Sequence, residues 1–173
     1  MRFNKVRKMD ISNGPGVRVS VFFQGCHFHC KGCFNSETWD FLGGKEYTMD
    51  IENKIFEFLD KDYIRGLSIL GGEPFHQANI DSVISLSKRF KERFPNKDLW
   101  IWTGFLFEDI LNKEILKYAD VIVDGNFIID LKDPRLKYCG SSNQRVIDVK
   151  KTLLNNQITL YILFHQGNPR FQS

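Results

Sequence analysis

The stretch that decides the fold is Val17–Phe23 (VRVSVFF), which runs through Gln24-Gly25 into Cys26-His27-Phe28-His29-Cys30-Lys31-Gly32-Cys33. β-Branched and aromatic residues fill every position of the first part except Arg18 and Ser20, so it reads as a strand. The strand stops at a glycine and gives way at once to three cysteines. A strand that delivers possible ligands from its C-terminal end fits a parallel α/β sheet, where sites gather on that rim.

The same strand-then-turn unit recurs along the chain. Asp50–Asp60 sets Ile51, Ile55, Phe58 and Leu59 at helical spacing, with Glu52, Lys54 and Glu57 expected on the outer side. Gly66–Leu70 (GLSIL) predicts a short strand running into Gly71-Gly72-Glu73-Pro74. A helix over Ile80–Phe94 turns Ile80, Val83, Ile84, Ser87 and Phe90 inward and stops at Pro95-Asn96. Its Lys88, Arg89, Lys91 and Arg93 read as solvated helix charges rather than a phosphate track. Leu99–Thr103 (LWIWT) is a strand ending at Gly104, a helix is expected over Phe107–Ala119, and Val121–Asp124 (VIVD) is a strand ending at Gly125. Asp148–Asn155 predicts a last helix and Ile158–Phe164 a final strand. Alternating strands and helices imply an α/β fold with a mainly parallel sheet and right-handed crossovers, either doubly wound or a compact partial (β/α) barrel.

Composition narrows the class. The chain has 173 residues, 42% hydrophobic and 14% aromatic with 16 Phe, enough for one packed domain and too little for two. Lys plus Arg number 24 against 21 Asp plus Glu, a net +3 that is too balanced to argue for nucleic acid or a membrane surface. The longest apolar run, Ile158–Phe164, is far short of a membrane span, and Met1-Arg2-Phe3-Asn4-Lys5 has no apolar leader, so a cytoplasmic protein is expected.

Three of the four cysteines lie within eight residues, which argues for a shared metal centre over a disulfide framework. Ligands spaced C-x3-C-x2-C can converge on one cube of iron and sulfur. A four-iron cluster usually takes four thiolates, so three would leave one iron open to substrate. The competing reading is a structural zinc site in a non-catalytic binding module, with Cys139, His27 or His29 as fourth ligand. No second C-x2-C knuckle supports it. Cys139 otherwise reads as a small buried hydrophobe.

In order along the chain, Asn13-Gly14-Pro15-Gly16-Val17-Arg18, Phe23-Gln24-Gly25-Cys26, the cysteine triplet and Gly71-Gly72-Glu73-Pro74 resemble radical S-adenosylmethionine enzymes of the glycyl-radical activase type. Trp102-Thr103-Gly104, Val123–Phe127, Asp130–Pro134 and Gly140–Arg145 narrow the likeness to activating proteins of anaerobic (class III) ribonucleoside-triphosphate reductases. It covers Phe3 to Leu160 and makes the chain one radical SAM domain, with 161–173 a C-terminal extension that does not map onto the family. Other glycyl-radical activases and compact small-molecule radical enzymes are the rivals within that class.

The resemblance implies a 4Fe-4S cluster on Cys26, Cys30 and Cys33, whose open iron is chelated by S-adenosylmethionine. Reductive cleavage of that cofactor would give a 5′-deoxyadenosyl radical that removes hydrogen from a glycine of the reductase. The implied partners are the reductase and an electron donor such as flavodoxin. Gly71, Gly72 and Glu73 fit the family's site for the methionine amino group. Gly32, Cys33 and Phe34 are expected beside the adenine, mostly through main chain. Thr103 and Asp124 are candidates for the ribose hydroxyls and the methionine carboxylate, or else caps. Asn143 and Arg145 would contact the carboxylate or form partner surface. Gly14, Gly16 and Arg18 read as structural, His76 as a turn residue, and Trp100 and Trp102 as packing residues.

Overall fold

The structure, a computed structural model, describes residues 1–110 and 112–162. Its sheet is built from β1 (Arg2–Asp10), β2 (Val17–Phe23), β3 (Lys45–Glu46), β4 (Ile64–Gly71), β5 (Asp98–Trp102), β6 (Val121–Asp124) and β7 (Arg145–Asp148). The helices are α1 (Met49–Leu59), α2 (Ile80–Arg93) and α3 (Val149–Asn155). The strand order is β3-β1-β2-β4-β5-β6-β7. The four central strands β2-β4-β5-β6 run parallel, and antiparallel pairs close both flanks. β3 and β7 do not pair with each other, so the sheet is an open α/β partial barrel.

Alternation assigns the two faces. Val19, Val21 and Phe23 of β2, Leu67 and Ile69 of β4, Leu99 and Ile101 of β5, Ile122 of β6 and Ile147 of β7 pack into the main core with α1 and α2. On the concave face, Trp100, Val121, Val123 and Val146 form a smaller cluster joined by Trp102, Tyr138 and Cys139. A one-residue slip of β2 would exchange Val19, Val21 and Phe23 for Arg18, Ser20 and Phe22. Each large apolar side chain so displaced forfeits about 1.5–3 kcal/mol of burial. Register is therefore tightly set.

Arg18 is wholly buried on that concave face and is fully occupied. It ion-pairs with Asp98, donates through Nε to Ser68 Oγ at 2.7 Å and through Nη2 to the Leu67 carbonyl at 2.9 Å, and lies over the Trp100 ring at 5.6 Å. Gly14 leaves it room, since a Cβ there would stand 2.9 Å from Arg18 Cδ. Both residues act structurally, as their sequence context implied.

Several elements differ from the sequence reading. β1 and β7 are additional antiparallel strands, so the sheet is parallel only at its centre. The helix expected over Phe107–Ala119 is two 3-10 turns, Phe107–Asp109 and Lys113–Lys117. Asn112, with extended backbone, caps the second turn by accepting from the Glu114 amide, so the chain restarts there instead of continuing one helix. The buried residues Phe107, Ile110, Ile115 and Leu116 are shared between the turns and the link joining them. The predicted strand Ile158–Phe164 is reduced, within the described residues, to one bridge between Ile147 and Leu160; its last two residues and the rest of the tail lie outside them. Glu52, expected outside, is 1% exposed and takes Arg89 through both carboxylate oxygens together with the Tyr47 hydroxyl. The basic residues of α2 are largely used in such pairs, Arg89 with Glu52, Lys91 with Asp120 and Arg93 with Asp60. Among the described residues no helix is long and apolar enough to cross a membrane.

Replacing Arg18 by Ala is expected to destabilise the cluster-free protein by about 3–5 kcal/mol, because it strips a buried charge network of its centre and leaves a cavity. Urea unfolding followed by circular dichroism measures this. A loss below about 1 kcal/mol would show that the network contributes little.

Candidate metal and cofactor site

β2 hands the chain to the cysteine loop through a fixed set of main-chain bonds. Gly25 N–H donates to the Thr38 carbonyl at 2.8 Å and Cys26 N–H to the Trp39 carbonyl at 3.0 Å. Gln24 Nε2 reaches the Glu37 carbonyl at 3.0 Å, which closes the base of the loop. Gly25 holds φ +94°, and a Cβ there would overlap the Phe41 ring at 2.3 Å. Within the loop Cys33 N–H donates to the Cys30 carbonyl at 3.0 Å, and Asn35 N–H points at Cys33 Sγ at 3.4 Å. His29 turns away and stacks on Trp39 at 4.7 Å.

All three thiols of the loop are free and line one cleft of about 600 Å³ on the concave face. The cleft is also walled by Gly71, Gly72, Glu73, Thr103, Gly104 and Gly125, so the ends of β2, β4, β5 and β6 all contribute to it. Burial pushes the Cys26 thiol up to about 11 and raises Cys30 as well. Neither is a free thiolate nucleophile at neutral pH, and a metal must displace their protons to bind. Among the described residues no three His, Cys, Asp or Glu side chains are gathered closely enough to hold a single metal ion.

The two glycines after β4 serve a close approach of chain to chain. Gly71 has φ +109°, and a Cβ on Gly72 would stand 2.4 Å from the Gly25 carbonyl oxygen. Instead Gly72 N–H donates to the Phe23 carbonyl at 2.8 Å and Glu73 N–H to the Gly25 carbonyl at 2.7 Å. The Glu73 side chain is 1% exposed. Its Oε1 accepts from Phe75 N–H and the Thr103 hydroxyl, both at 2.8 Å, and its Oε2 accepts from Gly104 N–H at 2.7 Å. Glu73 therefore clamps the end of β5 to the end of β4. Burial outweighs those three donors and lifts its carboxyl to about 7.

The remaining sequence candidates divide. Cys33 and Phe34 line the cleft; Phe34 is 63% exposed, sits 5.3 Å from Phe127 and carries Lys132 Nζ over its ring at 5.0 Å. Gly32 is not part of the wall, and its φ of +75° lets the loop pass Ile129, whose Cδ1 would be 2.8 Å from a Cβ. Asp124 is fully buried behind the cleft. It accepts from Phe107 N–H at 2.8 Å and pairs with Arg145, which also holds Glu108 at 2.7 Å, so Asp124 caps a turn and anchors β7. Asn143 Nδ2 donates to the Asn126 carbonyl at 2.9 Å, while its buried Oδ1 has no partner among the described residues.

Several wall residues were missed as site residues in the sequence. Trp102 lines the cleft and donates from Nε1 to the Tyr138 carbonyl at 2.8 Å. Gln144 ties two loops by donating to the Gly125 carbonyl and accepting from Gly140 N–H. Cys139 is half-buried on the same wall, with its thiol pushed up to about 11 by burial, instead of being enclosed in the core. Trp102 and Gln144 stood inside quoted motifs, whereas no local pattern marks Cys139.

Comparisons with known proteins point to one family. A family model described as a 4Fe-4S single cluster domain matches residues 12–147. The chain is similar to proteins named anaerobic ribonucleoside-triphosphate reductase-activating protein. That of Vibrio cholerae is 42% identical over 148 residues, covering 83% of this chain and 96% of the relative. That of Enterobacteria phage T4 is 42% identical over 146 residues, covering 84% and 93%. That of Escherichia coli K12 is 37% identical over 150 residues, covering 84% and 97%.

Glu73 provides a pH signature for the cluster-free protein. Its folded-state pKa of about 7 stands above the ordinary 4.5, so folding favours the neutral carboxyl. That contribution is complete below 4.5 and is lost as pH rises through about 7, a change on the order of 3 kcal/mol. Wild type should therefore lose stability relative to Glu73→Gln between pH 4.5 and pH 7.5 in paired denaturant titrations. A constant difference across that window would show that Glu73 is ionised throughout.

Proposed function

The chain belongs to the family of anaerobic ribonucleoside-triphosphate reductase-activating proteins, and from that premise we propose that it installs the glycyl radical of such a reductase by radical S-adenosylmethionine chemistry, in one domain spanning the chain. The observation that carries this reading is the gathering of three free thiols and the Gly71–Glu73 turn on the wall of one cleft. The donor set fits a 4Fe-4S cluster. Three soft thiol ligands share one wall of the cleft, and thiolates are the ligands that iron–sulfur clusters take. The proposed ligands are Cys26, Cys30 and Cys33. These three side chains would hold the cluster, which would supply the electron for reductive cleavage of S-adenosylmethionine and so the radical chemistry that the glycine α-carbon of the reductase requires.

The chain's own residues bind, orient and shield. Gly71 and Gly72 bring backbone to the cleft wall without side chains, which leaves room for an amino-acid moiety beside the cysteine loop. Glu73 is a positioning residue in this reading, because its carboxylate is already taken by Phe75, Thr103 and Gly104. Accepting from an ammonium as well would use its remaining lone-pair capacity and favour its ionised form. Phe34, exposed on the wall and steadied by Phe127 and Lys132, offers a flat apolar surface to a purine. Leu70, Trp102 and Tyr138 give the concave wall an apolar lining that keeps water from a reactive carbon. Asp124 and Arg145 support this wall from behind.

The test mixes the anaerobically reconstituted protein with the reductase, S-adenosylmethionine and a reductant, and follows the glycyl doublet by electron paramagnetic resonance. Cys26→Ala, Cys30→Ala and Cys33→Ala are each expected to abolish cofactor cleavage and the doublet. Cys139→Ala should retain both, within a few-fold of wild type. A Cys30→Ala protein that still cleaves the cofactor would remove Cys30 from the ligand set.

A further inference from the structure

Consecutive residues of the cysteine loop face two different cavities. Cys26 and Phe28 wall the cleft, while His27 between them walls a second cavity of about 340 Å³. The same division recurs at two more strand ends. Glu73 lies on the cleft and Phe75, His76 and Gln77 on the second cavity; Thr103 and Gly104 lie on the cleft and Phe105 on the second cavity. The two spaces are thus separated by one layer of loop residues, and that layer contains Cys26.

The partition is built of rings in mutual contact. His27 lies 4.2 Å from Phe28, 5.3 Å from His76 and 5.5 Å from Phe105, and Phe41 lies 4.6 Å from His76. Ile80 and Ile110 complete an apolar floor. Among the described residues the one carboxylate on the wall is Asp109, and no Lys or Arg lines it, so the lining suits no phosphate or other strongly anionic ligand. Its volume is within the ~300–1,000 Å³ of small-molecule sites, and flat rings on the wall favour a flat, conjugated occupant.

We propose that this second cavity is where the reducing electron enters, and that it receives the edge of a flavin-type ring of a one-electron carrier. The inference rests on the reading under Proposed function, since that chemistry needs a cluster reduced while the cleft is filled by nucleotide and protein substrate. A donor then has to approach from the opposite side of the cysteine loop, and this cavity is one residue thick from Cys26. In the transfer one electron leaves the reduced ring and adds to the oxidised cluster. The ring returns to its more oxidised state and releases its proton to solvent, and no bond to the protein forms or breaks.

The experiment follows bleaching of the cluster's visible absorbance in anaerobically reconstituted protein, with S-adenosylhomocysteine filling the cleft. Wild type is compared with Gln77→Trp, which places a bulky ring at an exposed position on the cavity wall. Three reductants are used: photoreduced 5-deazariboflavin as a free ring, a reduced flavodoxin as a protein-borne ring, and dithionite as a small non-aromatic donor. Gln77→Trp should slow flavodoxin reduction at least fivefold and leave dithionite reduction within twofold of wild type. If the free ring alone is slowed, the cavity takes free flavin rather than a protein-borne one. If neither ring is slowed, or dithionite is slowed equally, the inference is overturned. A wild-type protein with no visible chromophore to bleach would instead sink the cluster reading beneath it.

Discussion

The site depends on the close passage of two backbones at the C-terminal rim of the sheet. Gly72 and Glu73 donate their amides to the carbonyls of Phe23 and Gly25, and a Cβ at Gly71 or Gly72 would fall inside 3 Å of that neighbouring chain. These two bonds extend the pairing of β2 with β4 past the end of the sheet and into the turn. They fix where Cys26 begins its loop. They also bury the Glu73 carboxyl against β5, so three strand ends become one rigid unit. A side chain at either glycine would wedge that unit apart and move the thiol wall away from the Glu73 turn.

What the sequence shows and conceals follows from how local each signal is. β2, α2 and β6 are readable because burial, on both faces of the two strands and on one face of the helix, demands the apolar residues that mark them. β1 is not: its outer half is exposed, and its Lys5 and Arg7 lie over the Phe22 ring on the concave face, so no clean alternation survives. The 107–119 segment carries helix-like apolar spacing, yet the amide of Phe107 is claimed by Asp124 and Asn112 starts a new turn. Glu52 looked like an outer-face charge because its partners, Arg89 and Tyr47, are remote in the chain or on another element. The cysteine spacing and the Gly-Gly-Glu turn were legible as motifs. That Glu73 is spent on Thr103 and Gly104, and that Asp124 is spent on Arg145, required the fold.

The concave face has a charge gradient that suits its proposed work. Its floor is the Arg18 network, a fully satisfied cation held by Asp98, Ser68 and a carbonyl and covered by Trp100. Above it stand Phe22, Leu70 and Trp102, and only at the rim do the thiols and the polar turns appear. Polar groups that are satisfied by one another stiffen a wall without offering hydrogen bonds to a ligand.

Glu73 shows how such a wall converts binding into geometry. In the cluster-free protein burial outweighs its three donors and lifts its carboxyl to about 7, so it changes charge near neutral pH. A cation placed beside it would tip that balance to the carboxylate, and each of the three hydrogen bonds would then become charge-assisted and shorter. The end of β5, with Thr103 and Gly104, would be drawn onto the end of β4 at the moment the ligand arrives. A carboxylate exposed to water could not do this, since solvent would already hold it ionised. The raised pKa of Glu73 is therefore a consequence of the burial that lets one side chain report an arriving cation to two strand ends at once.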